Sequence, residues 1–265
     1  MKIISLNTFA GTIFDNFMAF VEAHKADTDV FCFQEIFTTD QPGFITTKLG
    51  KRANLLDELK QRLPNFQVFY GVAQDGIQES DDVCPGTQEG LAIFIKKGLN
   101  VTESGDFFIN NRRNSFVPPN YSTFPYNVLY IGLSINDQPL TICCLHGASQ
   151  PGSKLDTPDR INQSQKVIDF LKDRPGEKIV MGDFNLLPET ESIRMFEPAG
   201  YRNLVNDFKI STTRGTKHKQ LYPEFAGDYQ EYADYTFVTP GVKVTNFEVP
   251  DVPISDHLPM ILEIE

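Results

Sequence analysis

Residues 178–189 read KIVMGDFNLLPE. Ile179, Val180 and Met181 have the unbroken apolar character of a strand buried on both faces. At its C-terminal edge the run gives way to Gly182, Asp183, Phe184 and Asn185. Residues two apart in an extended segment project to the same side, so the carboxylate and the carboxamide are expected to point together off the end of the strand. Gly182 allows close backbone approach there. Taken alone, Asp and Asn after a strand are common turn formers. The reading therefore depends on what the other strands carry.

They carry the same kind of residue. Leu6 is followed by Asn7, the run at 29–34 (DVFCFQ) by Glu35, and Cys144-Leu145 by His146. Asp234 opens the run YTFVT, and Ser255-Asp256-His257 precedes the last apolar run at 258–264. Six strand ends bearing acids, amides or histidines predict one shared polar rim. Carboxylate and amide oxygens suit a hard divalent ion such as Mg²⁺. A histidine beside a carboxylate suits general acid/base work.

Around these ends, periodicity predicts helices over 11–25, 53–63 and 156–174 and another starting near Glu189. Strands are expected at 2–6, 66–72, 89–96, 101–109, 126–135, 140–146, 177–181, 235–239 and 242–249, besides those above. Residues 126–146 read as a hairpin turning at Asn136-Asp137-Gln138-Pro139. The stretch QDGIQESDDVCPGTQ reads as an acidic loop, and 110–125 and 205–232 as polar connections. Helices do not follow every strand, so the pattern fits two packed sheets with helices outside. No linker divides the chain, and one domain is expected over 1–265.

Composition sets outer bounds. Of 265 residues 40 % are hydrophobic and 22 % charged, as in ordinary globular proteins. The net charge of −11 disfavours a broad basic surface gripping duplex DNA by its phosphates. Cys32, Cys84, Cys143 and Cys144 lack metal-ligand or CxxC spacing and read as small buried hydrophobes in a reducing compartment. No leader pattern opens the sequence and no apolar stretch is long enough for a membrane span, so a cytoplasmic location is the default expectation. Nothing in the sequence specifies an oligomeric state.

With SLNTF at 5–9, FQEIF, LHGAS, MGDFN, ADYTF and ISDHLP at 254–259 in that order, the chain resembles the endonuclease/exonuclease/phosphatase superfamily of pancreatic deoxyribonuclease, the apurinic endonucleases and the sphingomyelinases. That resemblance implies an α/β (α+β) four-layer αββα sandwich: two packed, mostly antiparallel sheets with outer helices. It implies a metal-dependent hydrolase of phosphate esters, with Mg²⁺ (or Mn²⁺) held by Glu35, with Asn7 beside it and Asp256 near the ion or its waters. Asp183 would orient or deprotonate the attacking water, Asn185 would hold a phosphate oxygen, and His257, oriented by Asp234, would hydrogen-bond the scissile phosphate. His146 resembles a second site histidine, and Glu89 in QEGLAIF a supporting glutamate. Where some relatives place a further aspartate, this chain has Phe9, which favours a single ion. It also lacks the WCDR-like segment of inositol polyphosphate phosphatases, the arginine after GD-N of enzymes cleaving tyrosyl-DNA links, and any tryptophan.

Substrate contacts are expected from Arg112 and Arg113 in NNRRNSF and from the basic stretch KISTTRGTKHK, which contains Lys209, Arg214, Lys217, His218 and Lys219. Tyr121, Phe124 and Tyr126 offer faces for stacking a base. The first expectation is a phosphodiester substrate, DNA or RNA. The competing ones are a small or lipid-linked phosphate, such as a phosphoinositide or sphingomyelin, and a catalytically silent interaction module. An open groove with Arg112 and Arg214 on its rims would favour a nuclease; a compact basic pocket with bulky walls would favour the small ester.

Overall fold

Strands buried on both faces need a layer on each side, and the chain supplies those layers. The computed structural model describes residues 1–47, 50–79, 82–215 and 230–265, and of 77–79 and 82–85 only the backbone. One six-stranded sheet runs β11 (Val244–Glu248), β12 (Met260–Ile264), β1 (Lys2–Asn7), β2 (Val30–Thr39), β4 (Asp82–Lys96), β3 (Phe66–Glu79). The other runs β5 (Asn100–Asn110), β6 (Tyr126–Ile135), β7 (Gln138–His146), β8 (Glu177–Asp183), β10 (Asp234–Val238), β9 (Arg202–Asn203). Each contains one parallel pair, β1 with β2 and β7 with β8; the remaining pairs are antiparallel.

Alternation along the strands sorts their side chains between two cores. Ile3, Val30, Cys32, Leu91, Ile93 and Ile95 face the second sheet, on the side of Leu129, Ile131, Ile142, Cys144 and Met181. Ile4, Leu6, Phe31, Phe33, Ala92 and Phe94 face outward, under Phe17 and Val21 of α1 (Phe14–His24) and Leu55 and Leu59 of α2 (Leu55–Arg62). On the far side α3 (Pro158–Lys172) lays Val167 and Leu171 against the second sheet. It starts with Pro158 behind an N-cap, Thr157, whose hydroxyl accepts from the Arg160 N–H. The order helix, sheet, sheet, helix is the expected four-layer sandwich. Each fully buried Phe or Leu contributes about 1.5–3 kcal/mol, enough in number to hold costly polar groups at one end.

The register brings those polar groups together. Asn7 lies opposite Gln34, and Asp183 lies opposite both His146 and Asp234. β1, β7 and β8 therefore finish at the end of the sandwich where β10 begins and where His257 leads into β12. β7 and β8 approach closely at Gly182, whose φ is +144°; a Cβ there would sit 2.1 Å from the Leu145 carbonyl oxygen.

Four expectations need correction. β2 does not stop at Glu35 but continues to Thr39 past a bulge between Phe33 and Ile36. The acidic stretch read as a loop is the outer half of a long β3–β4 ribbon. Its Gln, Asp, Gly and Glu residues have low strand propensity, and pairing plus a hydrogen-bonded knot at Asp75 overrides it. Asp75 accepts from Arg113 (2.8 and 3.1 Å), Asn114 Nδ2 (2.7 Å) and Gln88 Nε2 (2.7 Å). The hairpin at 126–146 turns at two residues only, Asn136 and Asp137, both with positive φ, so β7 starts at Gln138. The helix expected near Glu189 is a single turn, α4 (Glu191–Arg194), and a second short turn, α5 (Leu204–Asp207), interrupts the polar stretch. Cys32, Cys143 and Cys144 are buried free thiols; Cys84's side chain, with Lys217, His218 and Lys219, lies outside the described residues. Among the described residues no helix is long and apolar enough to cross a membrane.

Gly182→Ala should combine backbone strain with overpacking and destabilise by about 3 kcal/mol, read as a lower urea midpoint at unchanged m value. A midpoint equal to wild type would show that β7 and β8 are not held as closely as described.

Candidate active site

Asp183 is the centre of the cluster. It is buried and closes β8, with Asn7 Nδ2 donating to its Oδ2 at 3.0 Å and the Asn185 backbone N–H to its Oδ1 at 2.8 Å. His257 Nε2 stands 3.6 Å and His146 Nε2 3.7 Å from Oδ2. Burial works to raise the Asp183 pKa, but the positive fields of His257, His146, Lys154 and Arg214 outweigh it and hold the carboxyl below its ordinary value. Asp183 is thus kept as an anion.

His257 is fixed from the other side. Its Nδ1 is 2.8 Å from Asp234 Oδ2, so Nδ1 carries the proton toward the carboxylate and Nε2 faces the cluster. Burial and Arg214 lower its pKa; Asp234, Asp256 and Asp183 raise it and prevail. Asp234 itself is raised by burial, against the pull of His257. Carboxylate oxygens of Asp183 and Asp234 and a ring nitrogen of His257 lie within 4.8 Å of one another.

Glu35 occupies the bulge of β2 in a left-handed conformation, φ +57°, and Asn7 Nδ2 donates to its Oε1 at 3.1 Å. Asn7 thereby spends both amide hydrogens on Glu35 and Asp183, while its Oδ1 accepts from the Phe9 N–H at 3.0 Å. Asp256 is buried and accepts from Arg214 Nη2 at 2.9 Å and from the Ser255 hydroxyl at 3.2 Å. Glu35 and Asp256 present hard oxygen donors, the chemistry that suits Mg²⁺ or Mn²⁺, while Asn7 turns its Nδ2 to Glu35 and orients that carboxylate. The half-buried Glu35 carboxylate opens on a cleft of about 150 Å³, and the residue set fits such an ion.

That cleft is walled by Phe116, Tyr121, Phe124 and Tyr126, ring centroids 5.1–5.3 Å apart along the chain of contacts, with Tyr126 edge-on to His146. Glu89 also lines it. Burial, reinforced by Glu35 and opposed by Lys51, pushes the Glu89 pKa up to about 7.

Asn7, Glu35, His146, Asp183, Asn185, Asp234, Asp256, His257 and Arg214 are thus brought together, and Glu89 reaches the same cleft. Three placements differ from expectation. Asp183 and Asn185 do not share an extended segment: Asn185 has φ +57°, and both Phe184 and Asn185 N–H groups donate to the Ala233 carbonyl. Arg214 is not on a rim. Its guanidinium lies inside, bonded to His257 Nε2 and Asp256. Arg112 is exposed and Arg113 is clamped to Asp75, so neither is among the cleft's described lining residues.

Sequence reasoning missed two basic residues. Lys154 Nζ donates to Asn185 Oδ1 and to the Ser149 carbonyl at 3.1 Å. Arg160, fully buried, donates to the carbonyls of Ala148, Pro151 and Leu155 and ties down the loop that carries Lys154. The available signal was positional: a Gly/Pro/Ser-rich loop directly after a site histidine, the kind of connection that carries function.

Solved structures of this fold include an endonuclease/exonuclease/phosphatase family protein from Leptotrichia buccalis (TM-score 0.72, 15 % identity, 100 % of this chain and 99 % of that one). A mannosyl-6-phosphatase of Bacteroides thetaiotaomicron matches with TM-score 0.69 at 16 % identity, over 100 % and 99 % of the two chains. The human nocturnin catalytic domain with bound sulfate matches with TM-score 0.67 at 15 % identity, over 100 % and 93 %. No curated protein sequence matches. The model of the endonuclease/exonuclease/phosphatase family matches residues 5–257, nearly the whole chain, from the strand that ends in Asn7 to His257 itself, and the chain belongs to that family.

Proposed function

We propose that the protein is a divalent-metal-dependent phosphoesterase whose substrate is a small phosphate ester rather than a nucleic-acid backbone. The observation that carries the substrate reading is the surface next to the cleft. A groove of about 560 Å³ continues from it, sharing Tyr121 and Tyr126. Among its described lining residues there is no lysine or arginine, while Asn110, Asn120, Gln150 and Asp159 are present. A polynucleotide laid through it would bring further phosphates against a carboxylate; a neutral polar or aromatic group would fit. Arg214 inside and aromatic walls outside match the compact basic pocket, not the open groove.

Glu35, with Asn7 and Asp256 alongside, would hold the ion, which when bound neutralises charge on the phosphate and leaving oxygens. Asp183, kept ionised and aimed by Asn7 and the Asn185 N–H, accepts a hydrogen bond from the attacking water and takes its proton. His257 Nε2 donates to the phosphate, with Asp234 holding the ring; Arg214 supplies a second donor to the developing charge. For Nε2 to reach substrate, Arg214 moves from His257 to the phosphate. His146 supports Asp183 on its other side. Glu89 lines the cleft beside Glu35.

EDTA should abolish turnover and Mg²⁺ or Mn²⁺ restore it; activity that survives complete chelation defeats the metal assignment. His257→Ala should reduce kcat by about 10³-fold and Asp234→Asn by about 10²-fold, with KM changing far less. Retention of activity within a few fold in His257→Ala would remove that histidine from the reaction.

The substrate reading is tested with a panel of aryl phosphate, sugar phosphates, nucleoside monophosphates, phosphoinositide, sphingomyelin and labelled DNA and RNA oligonucleotides. Small esters should exceed the oligonucleotides in kcat/KM by about 100-fold or more. The reverse order would restore the nuclease. Divalent-ion binding without turnover of any ester would favour the silent module.

A further inference from the structure

We infer that Lys154 is a phosphate-binding residue and that, with Arg214, it fits this centre to the dianionic phosphoryl group of a phosphomonoester. The inference rests on the phosphoesterase reading and deepens it.

Lys154 sits in the loop between β7 and α3 with a left-handed backbone, φ +59°. Its position is set from several directions. The Leu187 N–H donates to its carbonyl at 3.0 Å. Buried Arg160 grips the carbonyls of Ala148, Pro151 and Leu155, and Gln163 Oε1 accepts from the Ala148 N–H at 2.9 Å. A flexible surface lysine would need none of this scaffolding.

The hydrogen-bond inventory then fixes what faces what. An ammonium only donates and a backbone carbonyl only accepts. Asn185 gives Nδ2 to the Gly147 carbonyl at 2.9 Å and turns Oδ1 to Lys154. Asn185 therefore acts as the lysine's positioning residue, with its amide oxygen committed to the lysine. Among the described residues, Asn185 Oδ1 and the Ser149 carbonyl take two of the three ammonium hydrogens. The third is available to a ligand.

Charge supports the same ligand. Burial pushes the Lys154 pKa down to about 8, with Arg214 and Arg160 acting the same way against Asp183 and Asp256. The carboxylates in reach are shared: Asp256 bonds Arg214, Asp234 bonds His257, and Asp183 faces both histidines. An anion placed against the buried ammonium would favour its charged form. A terminal phosphoryl group carries about −1.5 to −2 at neutral pH, a diester phosphate a single charge. Two cations beyond a bound ion and His257, Lys154 held in place and Arg214 turned from His257 to the phosphate, match the former.

Calorimetry on the full chain with Mg²⁺ at pH 7 tests this, using inorganic phosphate and dimethyl phosphate as probes. Phosphate should bind the wild type about 10-fold or more tightly than dimethyl phosphate. Lys154→Met should weaken phosphate by about 10-fold or more and leave dimethyl phosphate within about 2-fold. Lys154→Arg should retain most of the phosphate affinity, and both variants should keep the wild-type unfolding midpoint within a few degrees. Unchanged phosphate affinity in Lys154→Met, equal losses for the two probes, or a wild type that binds neither, overturns the inference. If the ester panel fails while the phosphate difference holds, hydrolysis falls and the anion site stands. If esters turn over while Lys154→Met binds phosphate normally, Lys154 falls and hydrolysis stands.

Discussion

A carboxylate removed from water must be compensated, and the architecture of this protein's polar end follows from how Asp183 is compensated. An unpaired charge at that depth would cost several kcal/mol. Two N–H donors meet its oxygens directly, from Asn7 and Asn185, and two histidines stand within 4 Å. Three of these four groups are themselves tethered: Asn7 to Glu35, Asn185 to Lys154, His257 to Asp234. The cluster is one connected network reaching across both sheets. Its members come from strands that are far apart in sequence, so the two sheets must be packed before it exists.

This division of labour explains what could be read in advance. Burial on two faces leaves an unbroken apolar run, and residues 29–34, 89–96 and 177–181 announced their strands for that reason. The polar residue at each run's end was equally visible, because a charged or amide group beside a buried strand breaks the pattern. Asp183, Asp234 and His257 were legible as candidates on these grounds, and the family resemblance gave each an expected role.

Other features were illegible for physical reasons. The β3–β4 ribbon is stabilised by ladder pairing and by Asp75's contacts with Gln88, Arg113 and Asn114, which lie 13, 38 and 39 residues along the chain. Asp75, held at a pKa of about 2 first by its Arg113 hydrogen bonds, explains why an arginine expected at a substrate instead serves the scaffold. Lys154 and Arg160 showed no periodic signal because a loop has none. Arg214 was legible as a basic residue but not as a buried one; its depth is set by contact with Asp256 and His257 at the far end of the chain. Glu35 looked like a strand terminus because nothing in its neighbours signals a bulge.

Glu35 and Asn185 share a backbone state that glycine tolerates better than any other residue. Each position holds a side chain the site employs at a conformational cost of about 1 kcal/mol or more. Backbone and side chain therefore pull in opposite directions at two points of the same cluster. Glycine would relieve the backbone at both positions, but at Glu35 it would remove the carboxylate from the cleft and at Asn185 it would leave Lys154 and the Gly147 carbonyl without their buried partner. The glutamate's presence is a trace of selection for something other than the fold.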